Sequence, residues 1–111
     1  MIEPIPYRKH DGWFGLWEIE MTPDGWKDPK TEEIIRDSGY SEKLLEYINV
    51  IKGVMKAIPD LESMRKYFAK YGTKIKGGEI NPTLAFSVEC QLMDYTVELE
   101  GSRIYVYAHS K

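Results

Sequence analysis

With 111 residues, 42% hydrophobic and 30% charged side chains and a formal net charge of −3, the chain suits one domain spanning 1–111 and is too apolar to be disordered. No apolar run approaches the roughly 20 residues that cross a bilayer, and MIEPIPYRKHDG lacks the apolar core of a secretory leader, so no membrane span and a cytoplasmic location are expected. The single cysteine, Cys90, excludes an internal disulfide.

Pro4 and Pro6 predict an extended N-terminal arm over residues 1–11. A strand follows in GWFGLWEIEM. Trp17, Ile19 and Met21 alternate with Glu18 and Glu20, whereas Phe14 and Leu16 make the first half apolar on both faces and need a cover. Pro23, Asp24 and Gly25 signal a turn before Trp26.

Asp28 as a cap, Pro29, the acids Glu32 and Glu33 and the stop Gly39 predict a short helix over 28–39. The next helix starts at Ser41 and ends at Pro59. Leu44, Ile48, Ile51, Met55 and Ile58 recur at helical spacing, and Leu45, Val50 and Val54 widen that stripe. Asp60 caps a third helix whose Leu61, Met64, Phe68 and Tyr71 face inward, and Gly72 stops it. TKIKGGEINP is expected to be a loop, with room for a short extended piece around Ile75.

Sheet returns in the last third. Leu84, Phe86, Val88, Cys90 and Leu92 share one parity, and Tyr95, Val97 and Leu99 take the other. The flip at Met93-Asp94 means a bulge in one strand or a turn between two. Gly101-Ser102 is a two-residue hairpin turn. The resulting register pairs Leu99 with Ile104, Val97 with Val106 and Tyr95 with Ala108 on an apolar face. On the other face Glu100 meets Arg103, Glu98 meets Tyr105, Thr96 meets Tyr107 and Asp94 meets His109. The expected fold class is α+β: a single layer of antiparallel sheet, of three to four strands, packed on about three helices in the order β-α-α-α-β-β(-β), with the first strand joining the sheet.

Chemistry is sparse. There is no Cys pair, His-x₃-His or HExxH, so neither a metal nor another cofactor is expected, and Glu18 and Glu20 read as a solvated strand edge. His10, Asp11, Cys90 and His109 are the groups a small enzyme would use. Cys90 sits on an apolar parity, and His109 lies two residues from the end, so catalysis ranks last.

Charge is uneven along the chain: −4 over residues 1–40, +3 over 41–80 and −2 over 81–111. The basic middle contains Arg65, Lys66, Lys70, Lys74 and Lys76 without an intervening acid, interleaved with Tyr67 and Tyr71. That pattern suits phosphate or nucleic acid, although a solvated helix face would look the same. Tyr105 and Tyr107, with Glu98 and Thr96, make a tyrosine-and-acid sheet face to which Trp26 and Glu18 are possible neighbours. The leading expectation is a small acidic protein-binding module without enzymatic activity, of the inhibitor, immunity or adaptor kind. The alternative cover for those tyrosines is a second layer such as the N-terminal arm. An exposed final strand also permits a homodimer.

Overall fold

The computed structural model describes residues 3–9, 11–23, 25–27 and 42–110. The helix expected over 28–39, the caps Asp28 and Ser41, and His10 lie outside the described residues. So do the side chains of Phe14, Leu16, Trp17, Leu44 and Leu45, and with them the question of what covers Phe14 and Leu16.

The described elements are β1 (Phe14–Thr22), β2 (Gly25–Lys27), α1 (Glu42–Ala57), α2 (Leu61–Tyr71), β3 (Thr73–Lys76), β4 (Thr83–Glu89), β5 (Met93–Glu100) and β6 (Arg103–Ser110). The strands form one antiparallel sheet of six in the order β2-β1-β6-β5-β4-β3. This corrects the expected three to four strands on three helices: the sheet dominates, and two helices are found among the described residues.

The additional strands have a common cause. β2 and β3 are three and four residues long, too short to display an alternation, and β3 is mostly exposed. They exist by pairing in hairpins with the edges of β1 and β4; the turn signal at Pro23-Gly25 and the extended piece expected around Ile75 mark their places, but not that each pairs as a strand. The segment 84–99 is two strands. Its turn lies at Cys90, Gln91 and Leu92, ahead of the expected Met93-Asp94, and the Cys90 N–H donates to the Met93 carbonyl at 3.1 Å.

The final hairpin has the register expected from its pattern, from Glu100 opposite Arg103 to Asp94 opposite His109. Gly101 takes φ +64°, the positive value that the first residue of such a turn requires. β1 does join the sheet, along β6. Its blurred first half has a structural cause: the register shifts between Gly15 and Trp17, so the backbone pairs Phe14 with Ala108 and Trp17 with Val106 across an extra residue. Because β6 lies between β1 and β5, the expected self-association through an open final strand has no edge to use.

One face of the sheet packs on the helices. Ile51, Val54 and Ile58 of the α1 segment and Met64 and Phe68 of α2 close over Ile19, Phe86, Tyr95, Val97, Ile104 and Val106. Asp60 caps α2 by accepting from the Ser63 N–H at 2.7 Å. Tyr71, expected inside, is exposed at the helix end. Gly72 stops α2 by close approach and not by a left-handed turn: its φ is −83°, and a Cβ there would stand 2.5 Å from the Phe68 carbonyl oxygen.

Candidate functional site

The opposite face of β4 and β5 ought to be wet, since its residues are Ser87, Asp94, Thr96 and Glu98. Instead all four are buried. The N-terminal arm lies across them. Ile5 pairs with the outer edge of β4 beyond the end of β3: its N–H donates to the Ser87 carbonyl at 2.8 Å, and the Ser87 N–H donates back to Ile5 at 3.1 Å. The chain then crosses the strands. The Arg8 N–H donates to Ser87 Oγ at 2.8 Å, and the Arg8 carbonyl accepts from the Thr96 hydroxyl at 2.6 Å and the Ser87 hydroxyl at 3.0 Å. Ser87 and Thr96 are cross-strand partners whose hydroxyl oxygens lie 2.9 Å apart, so the two strands together present one polar notch to the backbone of one residue, Arg8.

Two cations follow the notch. The Arg8 guanidinium is 2.9 Å from Asp94 Oδ2 and 3.9 Å from Glu89 Oε1. Lys9 Nζ is 2.7 Å from Glu98 Oε2 and 3.5 Å above the centre of the Tyr107 ring. In the two close pairs the carboxylates are the buried members: the Asp94 and Glu98 side chains are 13% and 7% exposed. Carboxylates at such depth need opposite charge, and the arm supplies it. Burial and the Glu98 charge push the Tyr107 hydroxyl above its ordinary pKa, while the Lys9 ammonium pulls it back. Past Lys9 the arm reaches Trp13, whose ring lies 5.3 Å from that of His109 on β6.

The six residues expected to meet a partner are thus divided. Tyr105 is half-buried on β6, in register between Glu18 of β1 and Glu98 of β5. Glu18 is exposed and 3.0 Å from Arg103, which also lies 3.8 Å from Glu20. Tyr107 is half-buried beneath Lys9 and pairs across β1 with Gly15, which has no side chain to cover it. Thr96 and Glu98 are closed off by the arm. Trp26 belongs to the other side of the sheet: its indole N–H donates to the Ile58 carbonyl at 2.8 Å, joining β2 to the end of α1.

The basic residues Arg65, Lys66, Lys70, Lys74 and Lys76 are all exposed. Lys66 is 3.1 Å from Glu62, and Lys70 stands 5.0 Å from the centre of the Tyr71 ring. A register shift between Lys74 and Lys76 sets the first opposite Leu84 and the second opposite Thr83, on opposite faces of the sheet edge. Cys90, expected in the core, is half-buried at the start of its turn, beside a cleft of about 360 Å³ that Glu3, Glu46 and Glu89 also line. Glu46 anchors this turn to α1: its carboxylate accepts from the Leu92 and Met93 N–H groups at 2.9 and 3.0 Å. Among the described residues no group of three or more His, Cys, Asp or Glu is placed to hold a metal ion, and no helix is long and apolar enough to cross a membrane.

Arg8, Lys9 and Ser87 are the site residues that sequence reasoning passed over, and Asp94, placed opposite His109, was not expected to hold the arm. The available signals were an adjacent basic pair in an acidic first third, and small Ala85 and Ser87 on the outward parity of β4, which leave room for a covering chain. Comparison with protein-family models, curated proteins and solved structures gave no match to this chain.

Proposed function

We propose that the chain is a non-enzymatic protein-binding module, of the inhibitor, immunity or adaptor kind, whose contact surface is the outer face of β1, β6 and β5. The observation that carries this reading is Tyr105. It is a large, rigid, partly exposed aromatic with carboxylates in register on both sides, Glu18 and Glu98. A tyrosine contributes buried area at small entropic cost, and a basic partner is met by exposed Glu18 on one side and, where Lys9 leaves it, by Glu98 on the other. Tyr107 and Gly15 extend the surface toward the arm. Thr96 and Glu98 become part of it where the arm is lifted.

The test is affinity capture from the source cell, with nuclease present, using the wild-type chain, Tyr105→Ala with Tyr107→Ala, and Lys70→Ala with Lys74→Ala and Lys76→Ala. The expected result is a stoichiometric protein partner that the tyrosine variant holds at least about tenfold more weakly. The lysine variant should retain it. A partner held equally by the tyrosine variant rules the surface out. Loss with the lysine variant or with nuclease transfers the function to phosphate or nucleic-acid contact through the basic segment.

A further inference from the structure

The tray beneath the arm has the chemistry of a peptide-recognition groove. We propose that the face of β4 and β5 crossed by residues 5–9 binds an extended basic segment of a partner protein, and that the chain's own arm occupies it as a self-ligand. This rests on the protein-binding reading above and gives the partner's chemistry: an apolar residue followed, three positions on, by two adjacent basic residues.

Three observations support it. First, the groove reads main chain. The Ser87 N–H and carbonyl and the Ser87 and Thr96 hydroxyls all engage peptide groups of Ile5 and Arg8, which any extended segment offers. Strand addition at a sheet edge draws its affinity from such contacts. Second, side-chain choice is imposed by buried carboxylates. A face that merely needed a cover would be closed more stably by apolar residues, because ion pairs at this depth recover little more than their desolvation cost. Asp94 and Glu98, four residues apart on the same face of β5, instead select for cations at the places that Arg8 and Lys9 take. Third, the arm is shallow. Glu3, Pro6 and Arg8 are exposed, and Glu3 lies at the mouth of a cleft of about 360 Å³ that it lines with Val50, Val88 and Cys90, so the arm is laid over the sheet and not built into its core.

Tethering gives the arm a local concentration in the millimolar range, so the wild-type groove is masked against weaker competitors. The test uses the full-length chain and a fluorescent peptide with the sequence of residues 3–11, EPIPYRKHD. Arg8→Ala with Lys9→Ala weakens the arm in place. That variant is expected to bind the peptide at least about tenfold more tightly than the wild-type chain does. Adding Asp94→Asn and Glu98→Gln should abolish the gain, and a peptide with both basic residues changed to Glu should not bind. Equal binding to wild type and variant, no binding to either, or binding indifferent to the carboxylates overturns the proposal. So does a wild-type dimer that the peptide dissociates, which would make the arm's normal acceptor a second copy.

Should the arm variant fail to fold, the wild-type chain decides. Millimolar peptide should speed hydrogen exchange of the Ile5 amide while the Ser87 amide stays protected by the incoming strand. Unchanged exchange at Ile5 overturns the proposal. Because no natural partner enters this experiment, its failure leaves the Tyr105 surface standing, and loss of the Tyr105 surface leaves the groove standing.

Discussion

Lys9 Nζ lies 2.7 Å from Glu98 Oε2, and the carboxylate it meets is 7% exposed while Lys9 itself is 28% exposed. The acid is therefore committed to the interior and the base is not. Lys9→Ala should destabilise the fold by about 2 kcal/mol, because it strands a buried charge, with some relief from water reaching the lysine's place. In a Glu98→Gln background the same change should cost clearly less. Urea unfolding of the four members of this double-mutant cycle measures the coupling, and additive effects would show that the pair does not hold the arm.

The notch makes a separate demand. Thr96→Val removes the hydroxyl that donates to the Arg8 carbonyl at 2.6 Å, and Ser87→Ala removes the acceptor of the Arg8 N–H at 2.8 Å. Each should cost about 1–2 kcal/mol, and together less than their sum, since both hold the backbone of the same residue, Arg8. Exchange of the Ile5 amide should accelerate in both variants. Unchanged exchange would mean that the edge pairing with Ser87 holds the arm without the hydroxyls.

Alkaline stability follows from Tyr95. Burial, then the negative charge of Glu46, raise its hydroxyl well above the ordinary 10.0. The folded chain thus keeps a proton that the unfolded chain gives up. The stabilisation is complete below pH 10.0 and is lost as pH climbs beyond it. Unfolding midpoints should fall as pH rises above about 10, and Tyr95→Phe should flatten that fall. An identical slope in Tyr95→Phe would assign it to other groups, of which Tyr67 and Tyr107 are also shifted upward.

Gly72→Ala is expected to destabilise by about 1–3 kcal/mol, because the new Cβ would stand 2.5 Å from the backbone oxygen of Phe68, which has no flexible end to move. The effect should appear in thermal unfolding. Gly101→Ala should also destabilise, for a different reason: nothing lies within 4 Å of its Cβ position, but φ is +64°.

Elements whose residues satisfy one another locally were legible. The β5–β6 register could be read because a two-residue turn sets the phase and each apolar pair on one face fixes a polar pair on the other. The buried stripe through Ile48, Ile51 and Ile58, widened by Val54, could be read because a helix repeats its face every three to four residues, although Met55, expected in the same stripe, is only half-buried. The site was legible in part. Tyr105 and Tyr107 fall on the outer face as their parity requires, while Trp26 does not, since its place beside Ile58 depends on how β2 docks on the helix end.

The sequence by itself determined the hairpin register, the inward stripe of α1 and the membership of β1 in the sheet, all of which follow from spacing. The tertiary structure decided that the polar face of β4 and β5 would be dry. Ser87, Thr96 and Glu98 lie 79 to 89 residues from the Arg8 and Lys9 groups that satisfy them. No period connects such partners. A serine, a threonine and a glutamate on a strand look the same whether water or a distant segment completes their hydrogen bonds, and only the folded path of the chain distinguishes the two.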